Sequence, residues 1–195
     1  MRILLLSREP EGKTLCLKLQ SLGHQVELIT HEDIKKSFNP DVVISHHFPF
    51  IITGEQLEYV QKFVNLNVHN TYLPYGRGIY GIMWAAAMNC PQGFTFHCLE
   101  RKLDGGAILH RRKIEFLEKF TLRQVWAEIE NTSIDFLINE LSNLKFLYNN
   151  RYYDESIEGF IKTRKESMVL FNLLSKGWDS TIEETRDIFR SRISA

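Results

Sequence analysis

Short continuous apolar runs alternate along the first half of the chain with segments of helical spacing, the pattern of parallel strands joined by helices. Ile3 to Leu6 is continuous and ends at Ser7-Arg8-Glu9-Pro10, as a strand buried on both faces does before a loop. Leu15, Leu17, Leu19 and Leu22 follow in a helix predicted to stop at Gly23, and Val26 to Ile29 completes a βαβ start. Asp41 to Ser45 repeats the short run after Asn39-Pro40; Glu55 to Phe63 reads as helix and Leu66 to Val68 as the next strand. Phe94 to Leu99 and Ala107 to Ile114 form the predicted arms of a late hairpin, joined through Asp104-Gly105-Gly106 with positive φ expected at glycine.

Thr121 to Leu141 is the longest predicted helix, apolar at Leu122, Val125, Trp126, Ile129, Ile134, Leu137 and Ile138 and N-capped by Thr121. Beyond Tyr148-Asn149-Asn150-Arg151-Tyr152-Tyr153 the charged and apolar residues show no clear core pattern, so a tail wrapped on the domain is expected. The fold class is therefore α/β: an open, mainly parallel twisted sheet with helices on both faces, Rossmann-like, with a late antiparallel edge and a C-terminal tail.

Composition narrows the function classes. Lys plus Arg number 24 and Asp plus Glu number 24, so no net positive field attracts nucleic acid. Cys16, Cys90 and Cys98 make neither a C-x-x-C pair nor an even framework, the usage of a reducing, cytoplasmic compartment. No apolar run reaches the length of a signal or membrane-spanning segment, and no membrane partner is expected.

Asn67 and His69 stand two apart at a strand's carboxyl end, so they share a face where open α/β sheets place their sites. Taken alone, the pair reads as a capped strand end and a hydrogen-bonded core histidine. His46-His47 offers no metal site, because neighbouring strand residues point to opposite faces and no third ligand is spaced to join them; no metal is expected. Gly76-Arg-Gly-Ile-Tyr-Gly81 fits G-x-G-x-x-G, but it follows its strand at a distance, after Pro74, so a dinucleotide site stays a remote option.

Asn67-Val-His69-Asn-Thr-Tyr-Leu-Pro74 followed by Leu103-Asp104-Gly105-Gly106 resembles the folate-dependent formyltransferases, whose signature is N-x-H and then L-D-x-G, over about Asp41 to His110. The resemblance implies residues 1–145 as a formyltransferase catalytic domain, with 146–195 as an extension packed on it. It also implies Asn67, His69 and Asp104 as the catalytic set and N10-formyltetrahydrofolate as formyl donor. A pterin slot is implied at Phe48, Phe50, Ile51 and Ile52 and at the stretch ending in Leu103, held largely through backbone groups.

The first strand end lacks the Gly- and Ser-rich phosphate cradle expected of a glycinamide ribonucleotide enzyme, and the balanced charge and short stretch after Asp104 argue against a methionyl-tRNA acceptor. The loop His69-Asn-Thr-Tyr-Leu-Pro-Tyr-Gly-Arg-Gly78 and the later Gly177-Trp-Asp-Ser-Thr181 are most similar to the sugar N-formyltransferases. That resemblance implies a nucleotide-linked amino sugar as acceptor, with Thr71, Tyr75, Arg77 and Trp84 on the sugar side, and homodimers as the common assembly. Another amine acceptor, a formyltetrahydrofolate hydrolase, and a non-catalytic folate- or nucleotide-binding module are the alternatives.

Overall fold

The computed structural model of the chain describes residues 1–34, 38–154 and 159–193. The first strand, β1 (Arg2–Ser7), is an interior strand of the sheet, and its Ile3, Leu4, Leu5 and Leu6 have no exposed surface. The run is continuous rather than alternating because both faces are covered. After α1 (Glu11–Ser21) come β2 (Gln25–Ile29) and β3 (Val42–His46), and both pair with β1 in parallel. α2 (Gly54–Val60) leads to β4 (Val64–His69), parallel to β3. Leu5→Ala is expected to destabilise the protein by about 2–5 kcal/mol, since it leaves a hole at a fully buried position of an interior strand; urea unfolding at neutral pH measures it.

The next elements are β5 (Arg77–Gly78), α3 (Gly81–Ala87), β6 (Gly93–His97), β7 (Ile108–Lys113), α4 (Leu122–Asn139) and α5 (Leu144–Asn149). The last are β8 (Ile161–Lys162), α6 (Arg164–Leu173) and α7 (Ile182–Ile193). The six-stranded sheet has the order β2-β1-β3-β4-β6-β7, and β5 pairs with β8 in a two-stranded sheet. The bonds from Cys98 N–H to Ala107 O and from Ile114 N–H to Gln92 O run in the antiparallel sense, which makes β6 and β7 the expected late hairpin.

The chain divides into two compact units. The first comprises Met1–His69, Phe96–His110 and Ile138–Tyr153; the second comprises Asn70–Thr95, Arg111–Leu137 and Asp154–Ala195. In the first, β-strand register sets the carboxyl ends level, with Ser7 opposite His46 and Ser45 opposite Asn67. Leu4, Leu6, Ile29, Val43, Leu57 and Val60 belong to its core, and Tyr59 donates its hydroxyl proton to the Phe38 carbonyl there. In α1, Leu15 and Leu19 are buried one turn apart, while Leu17 and Leu22 lie at the surface.

The expected C-terminal tail carries helices at residues 164–173 and 182–193 in the second unit. Thr163 and Glu166 form a capping box at α6, Leu170, Leu174 and Ile182 are buried, and α7 packs on α3. α4 also begins with a reciprocal cap: Gln124 N–H donates to Thr121 Oγ1 at 3.2 Å, and Thr121 N–H donates to Gln124 Oε1 at 2.9 Å. Among the described residues no helix is long and apolar enough to cross a membrane.

Candidate active site

Strand alternation puts Asn65, Asn67 and His69 on one face of β4, with Asn67 and His69 at its carboxyl end. Beside them, at the end of β6, lies His97. Asn67 Nδ2 is 3.1 Å from His97 Nε2, and the rings of His69 and His97 meet edge to face with centroids 6.0 Å apart. Asp104 enters from the loop between β6 and β7: its Oδ1 lies 3.9 Å from His69 Nδ1 and 3.7 Å from His97 Nε2. The structure thus brings all three predicted catalytic residues together within the first unit, and adds a histidine that the motif does not contain.

The tautomer of His97 follows from its neighbours. The Cys98 carbonyl, 2.9 Å from Nδ1, can only accept, so Nδ1 carries the proton and Nε2 keeps its lone pair. Asn67 Nδ2 donates to that lone pair, which fixes which way the amide faces. Burial pushes the His97 pKa down to about 4 against the opposing pull of Asp104, so the ring is neutral at neutral pH. Asn67 retains a second amide N–H for another acceptor.

His69, His97 and Asp104 present donor atoms within 4.8 Å of one another, a spread a divalent ion could bridge. Both ring nitrogens of His97 are already engaged, by Cys98 and Asn67, so this cluster is organised for hydrogen bonding. His46 and His47 do not point to opposite faces as expected; their ring centroids are 4.2 Å apart. The strand ends at His46, and His47 turns away at φ 52°, where strand alternation no longer applies.

The Asp104 turn also differs from expectation in its detail. Asp104 itself takes the left-handed conformation, at φ 44°, and among residues 104–106 it alone does so. Asp tolerates that region better than most side chains. Gly106 is needed for space instead, since a Cβ there would strike the Cys98 carbonyl oxygen.

Of the residues expected at a pterin slot, Phe48 and Ile52 pack together with Leu99 against the core of the first unit. Phe50, Ile51 and Leu103 expose their side chains, Ile51 to 72%. A cavity of about 690 Å³ borders this loop, lined by Asn65, Leu99, Glu100, Arg101, Tyr148 and Arg151 among others; none of Asn67, His69 and Asp104 lines it.

The residues expected on the acceptor side lie in the second unit. Tyr75 and Arg77 are half-buried, and Arg77 Nε is buried without a hydrogen-bond partner. Thr71 is buried and ties the loop to itself, donating to the Gly76 carbonyl at 3.4 Å and accepting, through its own carbonyl, from Thr95 Oγ1 at 2.8 Å. Trp84 departs from the expectation most clearly. It is 5% exposed, its indole N–H donates to Ser167 Oγ at 2.9 Å, and Phe189 meets its ring edge-on. It packs α3 against α6 and α7 instead of facing outward. The G-x-G-x-x-G pattern has a packing cause, because a Cβ on Gly81 would meet Gly76 backbone and lie 2.5 Å from the Thr71 methyl.

Against this geometry, the family model described as formyl transferase matches residues 23–141, more than half of the chain. The chain belongs to the formyl transferase family. The match is wider than the stretch from Asp41 to His110 on which the resemblance rests, and takes in β2 and all of α4. Among relatives of this family member, a bifunctional polymyxin resistance protein ArnA of Wigglesworthia glossinidia brevipalpis is 22% identical over 205 residues, covering 91% of this chain and 31% of the relative. A GDP-perosamine N-formyltransferase of Brucella melitensis is 33% identical over 86 residues, 44% of this chain and 33% of the relative. The chain therefore spans about a third of the length of these curated relatives. The formyltransferase PseJ of Anoxybacillus kamchatkensis, solved with UDP-4,6-dideoxy-4-formamido-L-AltNAc and tetrahydrofolate, superposes with a TM-score of 0.81 at 24% identity, covering 95% of this chain and 97% of the other.

His97, Asn65 and Gln61 were not marked by sequence reasoning. His97 ends β6, two residues short of the predicted strand end at Leu99, and a polar residue within an apolar strand is the signal that finds it. Nothing local in the sequence shows that this strand end lies beside Asn67, because β4 and β6 become neighbours only through the crossover.

Proposed function

We propose that this family member transfers the formyl group of N10-formyltetrahydrofolate to the amino group of a nucleotide-linked dideoxyamino sugar. The observation that carries the reading is the meeting of Asn67, His69 and Asp104 at one point, on a neutral His97 that orients the Asn67 amide. The acceptor class is supported by the loop from His69 to Gly78 and by relatives whose names specify sugar N-formylation.

In the proposed reaction the acceptor amine bonds to the formyl carbon and the carbonyl π electrons move onto oxygen. The second Asn67 N–H meets that oxyanion, and the protonated form of His69 is a further donor. The carbon–N10 bond then breaks, and the proton lost by the amine passes through His69 and Asp104 to N10, leaving tetrahydrofolate and a formamide. Phe48, Ile52 and Leu99 supply an apolar base for the pterin, with Phe50, Ile51 and Leu103 as apolar surface for it to cover. Arg77, with its unpartnered Nε, is the candidate for an anionic oxygen of the nucleotide, and Tyr75 for the sugar face. The proposal holds the reaction in the cytoplasm, in keeping with the free cysteines Cys16, Cys90 and Cys98.

The test is incubation of the protein with N10-formyltetrahydrofolate and a panel of nucleotide-linked 3-amino and 4-amino deoxysugars. A product heavier by one formyl group, with tetrahydrofolate released in equal amount, is expected for at least one sugar. Folate release with formate as the only product would establish a hydrolase instead, and no reaction with any acceptor would overturn the proposal.

A further inference from the structure

We infer that Asn65 is a positioning residue that sets where Asp104 sits, by holding the first residue of the loop that carries it. The inference rests on the formyl-transfer reading of the site for its kinetic consequence, and on hydrogen bonding for its geometry. The residues flanking Asn67 in β4, Leu66 and Val68, are buried and apolar, yet Asn65 is only 1% exposed. A buried amide in a strand interior is costly unless its groups are bonded, and here each is used. Oδ1 accepts from Leu99 N–H at 2.8 Å, while Nδ2 donates to the Phe63 carbonyl at 3.0 Å and to the Tyr148 hydroxyl at 3.2 Å.

Leu99 is where the chain leaves β6. The preceding rung, Cys98 N–H to the Ala107 carbonyl, belongs to the hairpin, and Leu99 N–H turns instead to the Asn65 side chain. Its carbonyl accepts from Gln61 Nε2 at 3.1 Å. Both backbone polar groups of Leu99 are thus held by side chains from α2's end and β4. The loop then runs to Asp104 and is closed again by Gly105 N–H on the Lys102 carbonyl and Ala107 N–H on Glu100 Oε1.

Asn65 is two residues from Asn67 and four from His69 on the same strand face. One strand therefore carries the reacting pair and also grips the loop that delivers the aspartate. Without this grip, the start of the loop is held by the Gln61 bond and the hairpin, and the spacing of Asp104 from His69 loosens; a displacement near 1 Å costs about 100-fold in rate.

Two readouts test this. In Asn65→Ala, amide exchange at Leu99 followed by NMR is expected to accelerate about tenfold or more, and kcat to fall about 10- to 100-fold with the acceptor KM within about twofold of wild type. Tyr148→Phe removes one bond to Asn65 but leaves Leu99 held, and is expected to keep wild-type kcat. Gln61→Ala, at an exposed position, is expected to fold normally with a smaller fall in kcat of the same kind, which covers the case in which Asn65→Ala does not fold. Wild-type kcat in Asn65→Ala, or an equal loss in Tyr148→Phe, overturns the inference while wild-type turnover keeps the formyl-transfer reading. If the wild-type protein transfers no formyl group, that reading fails, and unchanged Leu99 exchange in Asn65→Ala then overturns the grip by itself.

Discussion

Asp104→Asn is expected to lower kcat for formyl transfer by about 10²- to 10⁴-fold, the range for removing a group that moves a proton in the transition state, with the melting temperature nearly unchanged. Asparagine is the informative substitution because Asp104 stands at φ 44°. Asn accepts that conformation almost as readily as Asp, whereas Ala adds backbone strain to the loss of the carboxylate. The variant keeps an oxygen near both imidazoles but loses the negative charge beside them and the capacity to relay a proton. His69→Ala should show a loss of similar size, and the double variant little more than either single one, since the two act as a unit. Steady-state kinetics with a fixed sugar acceptor measures this. Turnover near wild type in Asp104→Asn removes Asp104 from the mechanism.

His97→Phe is expected to reduce kcat about 10- to 100-fold by releasing the Asn67 amide from its fixed orientation, and also to flatten the dependence of stability on pH. The sign is set by the direction of the shift. The folded-state pKa of His97 is about 4, below the ordinary value of 6.5, because the buried ring resists charging. Between pH 6.5 and about 4 the unfolded chain takes up a proton at His97 that the folded protein refuses, so the wild-type protein loses stability as pH falls through that window. The loss is on the order of 3 kcal/mol and is complete below the folded-state pKa. Protonation at Nε2 would also set a donor against a donor at Asn67. Urea unfolding of both proteins across the window isolates the histidine, because the carboxylates titrate in both. Parallel curves for wild type and variant would show that His97 is not the buried neutral ring described above.

The sheet was legible because burial on both faces writes itself directly into sequence: Ile3 to Leu6 and Val42 to Ile44 are apolar without alternation and lie in neighbouring parallel strands. The Asn67 and His69 geometry was equally legible, since a spacing of two in a strand fixes a shared face. The C-terminal helices were not. α7 has a low apolar content and six charged residues, so its covering contact with α3 leaves little periodic trace. The packing of Trp84 was illegible for a related reason: a large aromatic has the same appearance in sequence whether its indole meets Ser167 or a ligand. His97 and Asn65 escaped notice because their meaning depends on which strand ends become neighbours, and on a loop residue whose backbone finds no rung in the sheet.

Gly106 ties its neighbourhood to heredity rather than to chemistry. Its missing side chain leaves room for the Cys98 carbonyl, and that carbonyl holds the proton of His97 on Nδ1. Any mutation placing even a methyl group at this buried glycine would push on the oxygen that decides which nitrogen of His97 faces Asn67 as an acceptor. The tolerated alphabet at residue 106 is thereby narrowed to a single letter by the same carbonyl that sets the proton of His97.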